Sequence, residues 1–221
     1  MLKLAVFDLD GTLKQVRDPY VYVHERLGKL ELAEEITAKG LSGQISYETW
    51  LRLDAELWLD TPRSALEQFF REDLYVPGAE ETIKALKARD VYVVIISSGL
   101  LFHAQMVAGE LGVDAVYGNE ILFKQNGGDW VVSGEVRARV PFDKKAELMA
   151  QIQAERDISL QESIAVGDTR SDIPMFERAE VGIAIYPNHP AVSAAADIVL
   201  PDLDMRPLLT RLRQHAPQLW E

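Results

Sequence analysis

The stretch that most constrains this chain is Leu4-Ala5-Val6-Phe7-Asp8-Leu9-Asp10-Gly11-Thr12-Leu13, a short apolar run that ends abruptly in two carboxylates, a glycine and a hydroxyl. Side chains alternate along an extended backbone, so Asp8 and Asp10 point the same way only while the strand persists, and Gly11 then permits a sharp turn. Two acids so close repel each other unless a cation joins them or one keeps its proton. Taken alone, the stretch also fits an edge strand entering an Asp-Gly turn.

Three further signals follow in order. The apolar run from Val91 to Ile96 opens into Ser97-Ser98-Gly99, Lys144-Lys145 begins a helical segment, and Ser163-Ile164-Ala165-Val166 leads into Gly167-Asp168-Thr169-Arg170-Ser171-Asp172. Continuous apolar runs of this length suit strands buried on both faces of a parallel sheet. In an open parallel sheet, ligands sit beyond the carboxyl ends of the strands, so these loops converge on one crevice. The alternation predicts an α/β, doubly wound, Rossmann-like parallel sheet. Its expected elements are helices over 79–88, 100–111, 144–156 (capped by Asp143) and 172–178, and strands over 91–96, 164–166, 181–185 and 198–200. Asn126-Gly127-Gly128-Asp129 reads as a small β-hairpin flap, with a separate strand over 135–140.

Between the first strand and residue 75 the character changes to helices only. Asp18-Pro19 starts one, Leu30 to Ala38 offers another, Ser46 opens a third with Trp50, Leu51, Leu53, Leu57 and Trp58 on its apolar side, and Thr61-Pro62 opens a fourth. The expected organisation is a core of residues 1–13 and 77–221 with a helical cap of residues 14–76 inserted into it.

Composition narrows the function classes. Hydrophobic residues make up 48% of the chain, enough for a full core. The net charge of −12 argues against nonspecific binding to nucleic acid or anionic membrane. A negative protein that handles an anion must concentrate positive charge locally. There is no cysteine, hence no disulfide and no thiolate metal site. The first strand begins at once and no apolar run approaches about 18 residues, so neither a secretory signal nor a membrane span is expected and the protein is expected to be cytoplasmic.

The succession of DxDGT, a strand ending in serine, a lysine and GDxxxD resembles the haloacid dehalogenase superfamily, in particular its phosphoserine-phosphatase-like branch. Val76-Pro77-Gly78-Ala79-Glu80-Glu81-Thr82-Ile83 and Tyr117-Gly118-Asn119-Glu120 look like the same branch. The resemblance implies a cap of the C1 type and phosphoryl transfer through an aspartyl-phosphate. It makes Asp8 the nucleophile and Asp10 the acid that protonates the leaving group and later deprotonates water. Mg²⁺ would be held by Asp8, the backbone carbonyl of Asp10 and Asp168, while Asp172 orients a metal-bound water or Lys145. Ser97 and the N–H of Ser98 would hold the phosphoryl oxygens, and Lys145, favoured over Lys144 by its spacing from Asp168, would neutralise nucleophile and phosphate. The residue types suit that chemistry independently: a phosphate dianion needs a cation, donors, an in-line nucleophile and an acid.

The expected substrate is a small phosphorylated metabolite, with phosphoserine the nearest named candidate. A phosphomutase or phosphotransferase would use the same residues, and a noncatalytic phosphometabolite-binding module would need neither Asp8 nor Asp10. By gapless counting, the branch's cap glutamate, which holds the substrate ammonium, falls on Arg17, and its cap arginine, which holds the carboxylate, falls on Asp54. Both charges are reversed, which disfavours phosphoserine; Asp18 and Arg52 stand nearby should the register be shifted. Arg17 at the mouth of the site either meets a second anionic group or is a solvated residue beside Asp18. Trp50, Trp58, Tyr20 and Tyr22 fit the core of the cap as readily as a pocket. Of His24, His103, His189 and His215, none shows ligand spacing or a carboxylate partner, although His103 lies close to the Ser97 loop.

Overall fold

The structure is a computed structural model, described here for residues 1–220. Strand β1 (Leu4–Phe7) is buried throughout. It is followed by four helices, α1 (Pro19–Arg26), α2 (Leu30–Leu41), α3 (Tyr47–Leu57) and α4 (Arg63–Glu72). Two of these start where the local chemistry demands. The Asp18 carboxylate accepts from the N–H groups of Tyr20 and Val21 at 3.0 Å, with Pro19 already in the helical φ range, and Ser46 Oγ accepts from Thr49 N at 3.2 Å.

Helix α5 (Ala79–Lys87), strand β2 (Tyr92–Leu100) and helix α6 (Leu101–Leu111) then restore strand and helix alternation. Strands β3 (Ala115–Asn126) and β4 (Asp129–Arg137) form an antiparallel hairpin whose turn uses Gly127 and Gly128 at positive φ. Helix α7 (Lys145–Glu155), strand β5 (Ser163–Gly167), the single-turn helix α8 (Ile173–Phe176), strand β6 (Val181–Ile185), helix α9 (Pro190–Ala195), strand β7 (Ile198–Leu200) and helix α10 (Leu208–His215) complete the chain.

The sheet runs β4-β3-β2-β1-β5-β6-β7, parallel except for β4. With the hairpin arm set aside, the order is that of a Rossmann-type sheet, which reverses direction beside β1 and opens a crevice at the carboxyl ends of β1 and β5. Successive residues of β1 serve opposite faces. Ala5 and Phe7 pack with Ile83, Leu86 and Leu208 on one side, while Leu4 and Val6 pack with Met149 and Phe176 on the other. A third apolar cluster lies outside the sheet: Val23, Leu51, Trp58 and Phe70 of the inserted helices pack on Phe102, Ile121 and Val132. The hairpin is therefore the floor under these helices, tied to them by backbone hydrogen bonds from Asp60 N to Val132 O and from Val132 N to Thr61 O.

Several local expectations are corrected. The separate strand over 135–140 does not form, because β4 continues to Arg137 through Gly134, whose φ of 85° absorbs an irregularity that bends the strand instead of breaking it. The helix expected over 172–178 is a 3₁₀ turn, Arg170–Asp172, followed only by α8, since the Asp172 side chain is turned back onto the preceding loop. Asp143 does not cap α7, which has no side-chain cap. On α3 the buried face is Leu51, Asp54 and Ala55, with Trp58 just beyond, whereas Leu53 and Leu57 are only half-buried.

Candidate active site

The crevice is built from the carboxyl ends of β1, β2 and β5 and from the start of α7. The N–H of Asp8 donates to Val166 O on β5 at 2.9 Å, so the carboxylate leaves the sheet where the ladder ends. Asp8 Oδ1 accepts from Leu9 N at 2.7 Å and Oδ2 lies 2.9 Å from Lys145 Nζ. Lys145 opens α7, where a positive charge opposes the helix dipole, yet it is 1% exposed. It is held there by carboxylates, with Asp172 Oδ1 at 2.7 Å as its second partner. Burial would lower the Lys145 pKa, but Asp172 and Asp8 overcome it and hold the ammonium above its usual range. Lys144 is exposed and bonds Glu147.

In the loop after β5, Asp172 Oδ2 accepts from the N–H groups of Asp168 and Thr169 and from Thr169 Oγ1, at 3.1, 2.9 and 2.9 Å. Both Asp172 oxygens are thus engaged by protein donors, which leaves this residue to orient Lys145 and the loop. A Cβ on Gly167 would stand 2.4 Å from Asp172 Cγ, so the loop can close only on a glycine.

Asp168 differs. Its Oδ1 accepts from Thr12 Oγ1 at 3.2 Å, but the buried Oδ2 has no hydrogen-bond partner; Arg17 Nε stands 4.0 Å away. Burial, then the charge of Asp172, pushes the Asp168 pKa up to about 7, and burial and Asp172 also raise Asp8 well above the carboxylate range against the pull of Lys145. Carboxyl oxygens of Asp8, Asp168 and Asp172 lie within 4.8 Å of one another. An unpartnered buried oxygen beside crowded acids is what a hard divalent cation would satisfy, and the all-oxygen donor set suits Mg²⁺. The carbonyl of Asp10 accepts no hydrogen bond among the described residues, so it is free to be a third donor.

The Asp10 side chain turns elsewhere. Its Oδ2 accepts from Ser97 Oγ at 2.9 Å, and its Oδ1 lies 3.4 Å from His103 Nδ1. The Asp10 carboxylate is therefore not one of the three acids that crowd together, and only its backbone could join Asp8 and Asp168. Ser97 Oγ also accepts from Gly99 N at 2.8 Å, which fixes the irregular last stretch of β2, where the register with β3 shifts between Ile96 and Leu100, and a Cβ on Gly99 would come within 2.3 Å of Asp10 Oδ2. Ser98 is buried with its hydroxyl unpartnered.

The inserted helices form the opposite wall of one cavity of about 120 Å³ that includes Asp8, Asp10, Ser97, Ser98 and Lys145. Arg17 lines the same cavity but is folded back, donating to the carbonyl of Tyr186 and lying over its ring at 4.4 Å. Asp54 is buried, not solvated, and accepts from His24 Nε2 at 3.1 Å, while Trp58 Nε1 donates to His24 Nδ1 at 3.0 Å. The hydroxyls of Tyr20 and Tyr47 reach the carbonyl of Ser98 at 3.2 and 3.0 Å, and Asn119 Nδ2 joins them there at 2.6 Å.

Thus Asp8, Asp10, Ser97, Ser98, Lys145, Asp168, Asp172 and Arg17 all come together. Sequence reasoning missed Tyr47, Phe142 and the pairing of His24 with Asp54 and Trp58, although it had singled out Asp54, Trp58 and His103 one by one. Only His103, four residues beyond Gly99 on the helix after the serine loop, carried a positional signal; the His24 pair spans two helices and had none.

Comparison with known proteins agrees with this geometry. The haloacid dehalogenase-like hydrolase family pattern matches residues 5–177. The chain is 30% identical over 212 residues to a phosphoserine phosphatase of Methanocaldococcus jannaschii, covering 96% of this chain and 98% of that protein. It is 32% identical over 211 residues to one of Lactococcus lactis, covering 95% and 93%. A substrate-bound phosphoserine phosphatase structure superposes with a TM-score of 0.79 at 29% identity, covering 96% of this chain and 98% of the other. Among the described residues no helix is long and apolar enough to cross a membrane. Since the motif order, the sheet order and the convergence of the strand ends all coincide with the match over most of its length, the chain belongs to the haloacid dehalogenase-like hydrolase family.

Proposed function

We propose that this protein is a Mg²⁺-dependent phosphomonoesterase that hydrolyses a small phosphorylated metabolite through an aspartyl-phosphate on Asp8. The observation that carries this reading is the division of labour between two nearly adjacent acids. Asp8 faces Lys145 and the Asp168 oxygen, whereas Asp10 is held off by Ser97 and His103 on the side where a leaving group would depart. A carboxylate O–P bond forms at Asp8 as the ester P–O bond breaks, and Asp10 delivers a proton to the departing alkoxide. Water then attacks the phosphorus of the acyl phosphate while Asp10 takes its proton, which returns Asp8 as a free carboxylate and releases phosphate. Lys145 holds negative charge on nucleophile and phosphoryl group, and the Ser98 N–H, with the Ser97 hydroxyl once it turns from Asp10, donates to the phosphoryl oxygens. Asp8, Asp168 and the Asp10 carbonyl would hold Mg²⁺, which would neutralise charge between nucleophile and phosphate.

Residues 14–76 act as a cap over residues 1–13 and 77–220 and exclude water once substrate is in place. The Tyr20 and Tyr47 hydroxyls on the Ser98 carbonyl are the contacts that register this closure at the phosphate loop. The relatives named above are phosphoserine phosphatases, which makes phosphoserine a candidate substrate to be compared with others.

The test is hydrolysis of para-nitrophenyl phosphate with Mg²⁺ by the native enzyme and Asp8→Asn. The native enzyme is expected to release phosphate in stoichiometric yield even with an added alcohol, and the variant to be inactive. Equal rates would eliminate the covalent route, and phosphate appearing on the alcohol would make the enzyme a transferase.

A further inference from the structure

We propose that the end of the cavity facing the inserted helices is a subsite for a protonated amine, with Asp54 as its anion. On this view, which rests on the phosphomonoesterase reading, the substrate is the phosphate ester of an amino alcohol that carries no carboxylate. Helix α3 places Tyr47, Trp50, Leu51 and Asp54 three, four and seven residues apart, the spacing of one helical face, and all four line the cavity. Asp54 is 3% exposed, and His24 is its one donor among the described residues. Among the described residues the other carboxylate oxygen, Oδ2, accepts no hydrogen bond.

The hydrogen-bond chain defines the charge at this end. An indole N–H can only donate, so the bond from Trp58 leaves His24 Nδ1 without a proton and places it on Nε2, which donates to Asp54. His24 thereby supplies a dipole and not a cation, so no protein cation offsets the Asp54 carboxylate, whose pKa burial raises. Such a carboxylate is best satisfied by a cationic donor.

The surroundings favour the same ligand. Tyr47, Trp50 and Phe142 pack edge to face, with centroids 5.0 to 6.5 Å apart, and line the cavity beside Asp54; aromatic walls tolerate cations through the ring quadrupole. The two basic residues of the lining are already engaged, Lys145 by Asp8 and Asp172 and Arg17 by Tyr186 and the approach to Asp168. Asp18, the remaining charged residue from the inserted segment, is a second acid. A carboxylate on the alcohol would therefore meet like charge and find no free cation.

The experiment compares specificity constants of the full chain with Mg²⁺ for 2-aminoethyl and 3-aminopropyl phosphate, their neutral isosteres propyl and butyl phosphate, and O-phosphoserine, with para-nitrophenyl phosphate as control. The better amine is expected to exceed its isostere by about ten- to a hundred-fold, the range of one charge-assisted hydrogen bond, and to exceed phosphoserine. In Asp54→Asn, which keeps an acceptor for His24, the ratio of amine to isostere within that variant is expected to fall close to one. A native ratio under tenfold, a preference for phosphoserine, or an unchanged ratio in Asp54→Asn overturns the subsite. If that variant does not fold, the two native comparisons decide alone. Hydrolysis of para-nitrophenyl phosphate without amine preference removes only the subsite, whereas no Mg²⁺-dependent hydrolysis of any ester removes the phosphomonoesterase reading as well.

Discussion

The two walls of the cavity handle charge in opposite ways. On the strand-end wall, Lys145, Asp8 and Asp172 are interlocked at 2.7 to 2.9 Å, while Asp168 Oδ2, Asp10 Oδ1 and the Ser98 hydroxyl have no hydrogen-bond partner among the described residues. On the helical wall the polar groups are few, set among aromatic rings, and end in a single under-bonded carboxylate, that of Asp54. A dense network fixes atoms for a reaction that tolerates little displacement, while an apolar wall with one charge selects by what it rejects. Changes on the first wall should therefore abolish turnover, and changes on the second should redistribute it among substrates.

The largest effect expected is from Asp8→Asn, a loss of about 10³-fold or more in kcat, measured by phosphate release. A variant that kept its rate would remove the distinction between the walls altogether. Asp10→Asn should cost about 10²- to 10⁴-fold with alkyl phosphates. With para-nitrophenyl phosphate, whose leaving group needs no acid, the same variant should show a nitrophenolate burst, because the base for the second step is missing. Absence of the burst together with equal losses on both esters would show that Asp10 does not act in two steps.

Asp168 connects the network to pH. Its folded-state pKa of about 7 lies above the ordinary 3.8, so between these values the metal-free folded chain holds a proton that the unfolded chain has released. Stability of the metal-free protein should then fall as pH rises through that window. Added Mg²⁺ should raise the midpoint of thermal unfolding by several degrees at pH 7.5 and by less at pH 5, where protons compete for the same oxygens. Scanning calorimetry of the native chain and Asp168→Asn checks this, since the variant should show a shallower pH slope, to which Asp8 still contributes, and a much reduced metal response.

Smaller effects sharpen the boundary between the walls. His103 is buried, stacked on Phe70 at 4.2 Å, and stands beside Asp10. His103→Ala should lower kcat about tenfold with little change in KM, as expected for a residue that positions the acid. A change in KM alone would assign His103 to the apolar packing. The smallest effect on chemistry is expected from Gly40→Ala on α2, whose new Cβ would lie 2.2 Å from the Trp50 ring. Displacing that ring should alter the ranking of alkyl phosphates while para-nitrophenyl phosphate turnover changes by only about two- to threefold.

Much of the strand-end wall was legible from the chain itself because its acids and its serine close apolar runs. Asp8, Ser97 and Asp168 sit where a strand emerges from the sheet, and glycines at 11, 99 and 167 stand where a Cβ would collide with the neighbouring acids. Lys145 was separable from Lys144 only by the spacing that the family resemblance implies, and burial of one and exposure of the other follow the same choice. The helical wall was not legible in this way. Asp54 read as a charge in an unexpected place, and His24 as a histidine without a partner, because the bond that pairs them joins residues on different helices whose relative rotation depends on packing over the hairpin.

Periodicity and turn chemistry are local properties, so the chain alone determined the alternation of strands and helices, the order of the motifs and the identity of the acids at the strand ends. Only the tertiary structure decided which oxygens remain without donors, that β4 bends at Gly134 to support the inserted helices, and that Arg17 folds toward Tyr186 while Asp54 faces the cavity. The physical reason is that hydrogen-bond satisfaction and charge compensation belong to pairs of groups brought together by packing, and no single segment of the sequence contains both members of such a pair.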